Sequence, residues 1–144
     1  MSQSRQLAAI MFTDIVGYTA LMSKDEEQAL EILKSSRSIQ QEQVQAFNGN
    51  WLKEMGDGAL VKFSSAKDAV LCAITIQKQA RIQLDAKIRI GIHLGDVTVE
   101  RNDIFGDGVN IASRLQSSAD PGGIYISDSV FKAVQAIPNI NTKY

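Results

Sequence analysis

The chain has 144 residues, 44% hydrophobic and 22% charged, which is the composition of one ordinary globular domain. Its formal net charge of -1 argues against a nucleic-acid partner bound through a general basic surface, and one cysteine with one histidine argues against a disulfide framework or a zinc site. No apolar run approaches the roughly 20 residues that span a bilayer and no signal peptide opens the chain, so we expect a cytoplasmic location without membrane contact from this segment.

The chain opens with a predicted strand that is followed by a long helix. Residues 7–13 form a continuous apolar run, as expected of a central strand covered on both faces of its sheet. Asp14 follows that run, which places a carboxylate at the rim of the sheet, where ligands commonly bind. The helix comes next, with Ser23 and Glu26 in the spacing of a capping box and Gly49 as its left-handed C-terminal cap.

Residues 51–63 predict a β-hairpin with Gly56-Asp57-Gly58 at its turn, because glycine supplies the positive φ angles that such turns need. Its two strands are mostly apolar, and Lys53 lies on the first of them. An aspartate at a turn is usually a turn former whose side chain bonds the local backbone. That interpretation of Asp57 is favoured as long as the hairpin is considered alone.

Residues 87–97 alternate between apolar and other side chains, which predicts a strand with one face in the core. Gly91 and Gly95 share its other face, and two glycines there indicate that a ligand or another backbone approaches closely. His93 lies on the same face. An acid–base role is one interpretation of this histidine, and a hydrogen-bonded structural role is the favoured one.

Apolar spacing and capping residues predict three further helices and one more short strand. The helices cover residues 65–84, residues 109–118 and a segment after Ser127, and the strand covers residues 124–126. Residues 102–108 are expected to be a loop. Asn110 and Arg114 stand four apart on the second of these helices, so they project from the same face. The order β-α-β-β-α-β-α-β-α predicts an α+β fold, a mixed sheet with helices packed on it.

The polar residues at strand ends are compatible with a magnesium–nucleotide site. Mg²⁺ prefers oxygen ligands and is typically held by one or two carboxylates, such as Asp14 and Asp57, plus substrate phosphates. A second ion between the same carboxylates could activate an attacking oxygen. Gly17-Tyr18-Thr19 enters a helix and offers backbone N–H groups to phosphates. Spacing alone leaves other interpretations open, since Asp-containing turns occur in most globular domains.

Four motifs occur in the order of a known family: FTDIVGYT at residues 12–19, KEMGDG at 53–58, RIGIHLG at 89–95 and DIFGDGVNIASR at 103–114. With them the chain resembles the catalytic domain of class III nucleotidyl cyclases, especially bacterial adenylate cyclases, from about residue 10 to 131. The resemblance implies a ferredoxin-like sheet and conversion of ATP to 3′,5′-cyclic AMP and pyrophosphate. It also implies two Mg²⁺ or Mn²⁺ ions per site and a head-to-tail homodimer with composite active sites.

The resemblance also implies roles for residues in substrate and metal binding. Asp14 and Asp57 match the two metal-binding aspartates, and Ile15 would add its backbone carbonyl. Lys53 and Asp103 match the pair that reads adenine, in which the ammonium donates to a ring nitrogen and the carboxylate accepts from the exocyclic amine. Guanine needs the opposite pattern of donors and acceptors, so this pair favours ATP over GTP.

Asn110 and Arg114 match the catalytic pair of the family. Arg114 would stabilise charge that develops on the α-phosphate, and Asn110 would orient the ribose as its 3′ oxygen attacks. In the family these residues and the adenine-reading pair come from one subunit and the metal ligands from its partner. A nucleotide-binding regulatory module without turnover and a guanylate cyclase are the alternative functions.

The end of the chain departs from the family pattern. Relatives continue beyond the last helix with a further β-hairpin that carries a basic residue for the triphosphate. The sequence stops before such a hairpin, and Lys143 is too early to be assigned that role. We therefore expect residues 1–144 to be a C-terminally truncated catalytic domain, and part of a longer protein.

Overall fold

The computed structural model describes residues 4–142, which form five helices and one six-stranded sheet. The strands are β1 (Ser4–Ile15), β2 (Asn50–Met55), β3 (Gly58–Phe63), β4 (Ile88–Glu100), β5 (Asp103–Phe105) and β6 (Ile124–Ile126). The helices are α1 (Tyr18–Lys24), α2 (Glu26–Ala46), α3 (Ala66–Gln83), α4 (Asp107–Ser118) and α5 (Asp128–Val134). This mixed sheet with helices packed on it confirms the predicted fold class.

The sheet is built around β1, as the continuous apolar run predicts. The strand order is β2-β3-β1-β4-β5, and each of these neighbouring pairs is antiparallel. β1 pairs with β4 along its whole length, from Ser4 opposite Val99 to Ile15 opposite Ile88. β6 is parallel to β4 at its N-terminal end, and β5 pairs with the C-terminal end of β4.

Side chains of β1 alternate between two cores, which explains why the strand is apolar on both faces. Ala9 and Met11 enter the larger core, where α2, α3 and α5 contribute most of the partners. Ala8, Ile10 and Phe12 enter the smaller core under α4, which also contains side chains from β4 and β5. Period-two alternation in a strand covered on both sides leaves no polar face.

The ends of α2 differ from the sequence prediction. The Asp25 side chain accepts a hydrogen bond from the backbone N–H of Gln28 at 3.1 Å, so Asp25 and not Ser23 is the N-cap, and α1 is a separate helix. At the other end Asn48 takes the left-handed φ of 62° that was predicted for Gly49. Gly49 is needed for space instead, because a Cβ there would lie 2.7 Å from the Phe63 ring.

The β2–β3 hairpin is confirmed, but its two glycines serve different purposes. Gly56 has a φ of 61° and supplies the turn, which closes with Met55 opposite Gly58. Gly58 has no positive φ; a Cβ there would lie 1.7 Å from the carbonyl oxygen of Thr13. The absence of a side chain at residue 58 therefore lets the hairpin tip lie against the end of β1.

The close approach predicted at Gly91 is made by a backbone. A Cβ on Gly91 would lie 2.3 Å from the Gln116 nitrogen and 2.6 Å from the Ala112 oxygen, so α4 packs directly on β4. The loop predicted for residues 102–108 is wrong in part, because Asp103–Phe105 forms β5 and pairs with Thr98–Glu100. The polar, glycine-containing sequence of this segment predicts a loop, but hydrogen bonds to β4 hold its first part as a strand.

Candidate active site

Asp14 stands at the end of β1 and is held by Arg89 on the neighbouring strand. The two residues are direct cross-strand partners in the β1–β4 register. The guanidinium Nε of Arg89 donates to Oδ1 of Asp14 at 2.9 Å, and its Nη2 contacts Oδ2. Both carboxylate oxygens of Asp14 therefore face one guanidinium, in the bidentate geometry of a strong ion pair.

Asp57 reaches the same end of β1 from the hairpin turn. Its Oδ2 accepts a hydrogen bond from the backbone N–H of Ile15 at 2.9 Å. The interpretation of Asp57 as a local turn former is wrong, since this hydrogen bond crosses from the hairpin to a different strand. Arg37 of α2 stabilises the turn by donating a hydrogen bond from Nη2 to the Gly56 carbonyl oxygen at 3.0 Å.

Arg89 has no role that was predicted from the sequence. It also donates from Nη1 to the carbonyl oxygen of Ser117 in α4 at 2.9 Å. The pKa of Arg89 is raised, first by its hydrogen bond with Asp14 against the opposing effect of burial, then by the charges of Asp14 and Asp57. The signal that identifies this residue is its register opposite Asp14, which becomes visible only when the β1–β4 pairing is known.

Lys53 and Asp103 form an ion pair, with Nζ of Lys53 3.0 Å from Oδ2 of Asp103. The other oxygen of Asp103 accepts from the Ile104 N–H at 2.8 Å. Burial pushes the pKa of Asp103 up, but the hydrogen bonds from Lys53 and Ile104 together with the lysine charge outweigh it, so the pKa is lowered. The structure thus brings together the two residues predicted to read adenine.

This ion pair shows how the sheet is curved. β2 and β5 stand at opposite ends of the strand order, which in a flat sheet would separate them by about 19 Å, four spacings of roughly 4.8 Å. Leu52 of β2 packs instead against the smaller core that contains Ile104, and Val99 of β4 packs against the same core. The β4–β5 ribbon therefore folds over the sheet and carries Asp103 to Lys53.

Asn110 and Arg114 lie four residues apart on α4, and both are exposed. Within residues 4–142 neither side chain makes a hydrogen bond or an ion pair. The structure therefore does not join this pair to Asp14 and Asp57 within one chain. Both side chains remain available to a ligand or a second molecule.

The Gly17-Tyr18-Thr19 segment begins α1, directly after β1. Gly17 precedes the helix with a left-handed φ of 75°, so it turns the chain between strand and helix. The first backbone N–H groups of a helix have no intrahelical partner, which leaves those of α1 available to an anion. Thr19 is exposed, and the Tyr18 hydroxyl lies 4.0 Å from the Met22 sulfur.

His93 has the structural role that was favoured for it. Its Nδ1 lies 2.8 Å from the Ser127 hydroxyl, and Ser129 donates to the Leu94 carbonyl beside it at 2.7 Å. Burial lowers the pKa of His93 and thereby favours the neutral ring. Gly95 lies next to this ring, because a Cβ there would be 2.8 Å from Nε2.

The described residues contain no cluster of three or more histidine, cysteine, aspartate or glutamate side chains that could hold a metal by themselves. A magnesium site does not need one, since one or two carboxylates and substrate phosphates suffice. Asp14, Asp57 and the Ile15 carbonyl are the hard oxygen donors that the sequence predicts for such a site. In residues 4–142 no helix is long and apolar enough to cross a membrane. Lys143 lies outside the described residues.

The family model described as the adenylate and guanylate cyclase catalytic domain matches residues 1–143, so the chain belongs to this family. A Rhizobium meliloti protein named "Putative adenylate cyclase 3" is 40% identical over 145 residues, covering 95% of this chain and 25% of that protein. A receptor-type guanylate cyclase of Caenorhabditis elegans is 30% identical over 146 residues, covering 84% of this chain and 13% of that protein. The chain thus spans a quarter or less of the length of these relatives.

A solved structure of an adenylate/guanylate cyclase/hydrolase from Silicibacter pomeroyi has the same fold. Its TM-score with this chain is 0.86 at 36% sequence identity, over 93% of this chain and 83% of that one. The adenylyl cyclase CyaB from P. aeruginosa also has a TM-score of 0.86, and at 24% identity it shows the fold alone. These similarities confirm the resemblance to class III cyclases.

Proposed function

We propose that the chain is an adenylate cyclase catalytic domain that converts ATP to 3′,5′-cyclic AMP and pyrophosphate. The observation that carries the choice of ATP is the Lys53–Asp103 pair, which holds a donor and an acceptor 3.0 Å apart. Adenine offers a ring nitrogen that accepts and an exocyclic amine that donates. When the base binds, Lys53 would donate to the ring nitrogen and Asp103 would accept from the exocyclic amine, and these contacts would replace their mutual ion pair.

Asp14, Asp57 and the Ile15 carbonyl would hold Mg²⁺ or Mn²⁺, two ions per site. When bound, such ions neutralise phosphate charge and lower the pKa of the attacking hydroxyl. The donor set supports this assignment, because carboxylate and carbonyl oxygens are the ligands that hard cations prefer. The hydrogen bond from Ile15 to Asp57 holds the hairpin carboxylate beside the end of β1, where Asp14 stands.

Asn110 and Arg114 would act on the reacting groups. Arg114 would stabilise the charge on the α-phosphate, and Asn110 would fix the ribose so that its 3′ oxygen is in line with the phosphorus. The N-terminus of α1 at Gly17-Tyr18-Thr19 would bind the phosphates through backbone N–H groups. These contacts would orient the substrate at the reacting centre.

The exposure of Asn110 and Arg114 supports a head-to-tail homodimer with composite sites. In such a dimer each site takes its metal ligands from one chain and its adenine-reading and catalytic pairs from the partner. The assignment of residues 1–144 to one catalytic domain and a cytoplasmic location remain predictions.

The proposal is tested by incubating the protein with ATP and Mn²⁺ or Mg²⁺ and measuring cyclic AMP by chromatography. We expect cyclic AMP and pyrophosphate in equal amounts, and none from Asp14→Ala or Arg114→Ala. A matched variant, Lys132→Gln, changes an exposed ion pair on α5 and should keep full activity. No product at high protein concentration, with bound ATP detected by calorimetry, would support a binding module instead.

A guanylate cyclase is the second candidate, because guanylate cyclases occur among the similar proteins. The two candidate functions are distinguished by incubating the protein with ATP and GTP at equal concentration and separating the two cyclic products. Cyclic GMP as the main product would overturn the ATP assignment while leaving the cyclase assignment in place.

A further inference from the structure

Arg89 binds the carboxylate of Asp14, which the proposed metal site needs as a ligand. Its Nε and Nη2 engage the two oxygens of Asp14, with 2.9 Å between Nε and Oδ1. A guanidinium that binds both oxygens in the carboxylate plane takes the positions that a divalent cation would use. It also adds a positive charge beside Asp14 and Asp57, which opposes the approach of a cation.

The third contact of Arg89 reaches α4. Nη1 donates at 2.9 Å to the carbonyl oxygen of Ser117, in the last turn of that helix. Carbonyls in the last turn lack an intrahelical partner, and a cation there also matches the negative end of the helix dipole. Arg89 therefore joins Asp14 to the helix that carries Asn110 and Arg114.

We propose that Arg89 is a positioning residue that holds Asp14 in the cation-free protein and leaves at least one of its oxygens when a divalent cation binds. This inference rests on the metal site of the proposed function. Because the same guanidinium holds Ser117, its movement alters the C-terminal turn of α4. Arg89 thereby couples cation binding at Asp14 to the helix that bears the proposed catalytic pair.

A static ion pair would have the opposite consequence. If Arg89 only oriented Asp14 and stayed in place, its removal would leave the carboxylate misplaced, and cation affinity would fall. If Arg89 competes with the cation, its removal raises cation affinity and weakens the end of α4. The sign of the change in affinity therefore separates the two roles.

The affinity is measured without nucleotide, by titrating Mn²⁺ into the protein and following free Mn²⁺ by electron paramagnetic resonance. We expect Arg89→Gln to bind Mn²⁺ about 5- to 50-fold more tightly than the wild type, within the range of typical coupling between sites. Arg89→Lys keeps the charge but lacks the planar fork, so its affinity should lie between the two. Lys132→Gln, which removes a distant surface charge, should bind Mn²⁺ as the wild type does.

A second readout follows the end of α4 by hydrogen exchange of the backbone amides of residues 116–118. In the wild type, Mn²⁺ should accelerate their exchange, because Arg89 then holds the Ser117 carbonyl less firmly. In Arg89→Gln the exchange should be fast already and unaffected by Mn²⁺. Identical exchange in the wild type with and without saturating Mn²⁺ would overturn the coupling to α4.

Unchanged or weaker Mn²⁺ binding by Arg89→Gln would overturn the inference, even if the wild type makes cyclic AMP. The gain in Mn²⁺ affinity should disappear in the double variant Arg89→Gln/Asp14→Asn, because the competition is for Asp14. A gain that persists in the double variant would also overturn the inference. If Arg89→Gln does not fold, the Arg89→Lys variant is used in its place. A Mn²⁺ affinity of Arg89→Lys that equals or falls below that of the wild type then contradicts the proposal. Absence of Mn²⁺ binding by both wild type and Arg89→Gln would overturn the inference, whereas the proposed function is decided separately by the formation of cyclic AMP from ATP, whose phosphates complete the metal site.

Discussion

Lys53 and Asp103 satisfy each other at the protein surface, with side chains 45% and 29% exposed, so neither needs the nucleotide for its own stability. An exposed ion pair of this kind contributes at most about 1 kcal/mol to folding. Substitution at Lys53 should therefore affect substrate selection far more than stability. This separation of effects makes the pair a direct probe of base recognition.

Lys53→Met is expected to lower kcat/KM for ATP by about 10- to 100-fold, corresponding to the ~1.5–3 kcal/mol of a hydrogen bond to a charged group. The activity towards GTP should fall less, so the preference for ATP shrinks. Steady-state assays with each nucleotide measure both effects. Lys62→Met serves as the control, because Lys62 lies on the adjacent strand and, among residues 4–142, donates only to Gln6. An unchanged kcat/KM for ATP in Lys53→Met contradicts the assignment.

His93 gives stability a dependence on pH that can be assigned to one residue. Burial lowers its pKa below the ordinary value of about 6.5, so the unfolded chain binds the proton more tightly than the folded protein. The contribution of neutral His93 to stability is complete when the pH is above the ordinary pKa of the unfolded chain. It is lost as the pH falls from that pKa through the lower pKa of the folded protein. In this window the free energy of unfolding changes by up to about 1.4 kcal/mol per pH unit.

His93→Gln should remove that component, since glutamine does not titrate. Urea unfolding at pH 7.5, 6.5 and 5.5 then shows a smaller loss of stability on acidification for the variant than for the wild type. The variant is expected to be less stable at pH 7.5 as well, because the hydrogen bond to Ser127 is disturbed. Parallel pH curves for the two proteins would show that His93 is not the titrating group.

At the scale of elements, the hairpin tip is placed by Gly58. Because a Cβ there would lie 1.7 Å from the Thr13 oxygen, the β3 backbone must move away from β1 in Gly58→Ala. We expect the free energy of unfolding to fall by about 3 kcal/mol. Exchange of the Ile15 amide, which donates to Asp57, should also accelerate.

The matched control is Gly122→Ala, at a φ of 80° with no atom within 4 Å of the added Cβ. It carries only the cost of a left-handed alanine, about 1–2 kcal/mol, and should leave Ile15 exchange unchanged. Equal effects of the two variants on Ile15 would show that Gly58 does not place the hairpin.

A buried polar network fixes α2 to the sheet below the candidate site. The Thr13 hydroxyl donates to the Gln40 side chain at 2.8 Å and accepts from the Ala59 N–H at 3.1 Å. Gln40 in turn donates to Ser36 at 2.9 Å, and all three polar side chains are buried. The network joins three elements directly beside Asp14.

Thr13→Val keeps the shape of the side chain but removes the hydrogen-bond partner of the Ala59 N–H and of the Gln40 side-chain oxygen. We expect it to lower the free energy of unfolding by about 2–4 kcal/mol, since each unsatisfied buried group costs about 1–3 kcal/mol. Thr13→Ser keeps the hydroxyl and loses one methyl group, at about 1 kcal/mol. Chemical denaturation of both variants tests this ranking, and a Thr13→Ser protein less stable than Thr13→Val contradicts it.

Sequence periodicity was sufficient for elements whose signals are local. The hairpin, β4 and the start of α3 near residue 65 were predicted correctly, because apolar alternation and capping depend on neighbouring residues. The interpretation of Asp57 as a local turn former failed for a physical reason: its partner Ile15 becomes adjacent only after β3 pairs with β1. Arg89 was missed in the same way, since its contacts depend on the β1–β4 register and on the packing of α4.

The folded chain separates the proposed functional residues into two groups. Asp14 and Asp57 meet at the end of β1, whereas Asn110 and Arg114 extend from α4 without a partner in residues 4–142. The proposed dimer joins the metal ligands of one chain to the α4 pair of another. A closed two-fold arrangement gives two equivalent sites, each complete only in the dimer.

Mixing two inactive variants tests this arrangement. In a mixed dimer of Asp14→Ala and Arg114→Ala, one site carries both substitutions and the other carries neither. Random exchange makes about half of the dimers mixed, each with one intact site of two, so about a quarter of wild-type activity should return. The measurement is cyclic AMP formation after the two proteins are mixed in equal amounts and equilibrated.

The control is a mixture of Asp14→Ala and Asp57→Ala, whose substitutions fall on the same side of every site. No mixed dimer then has an intact set of metal ligands, and activity should stay at the level of the separate variants. Recovery in the first mixture and not in the second assigns the metal ligands and Arg114 to opposite chains. If neither mixture recovers while mass spectrometry detects mixed dimers, the two groups act within one chain, and α4 must move towards Asp14 during catalysis.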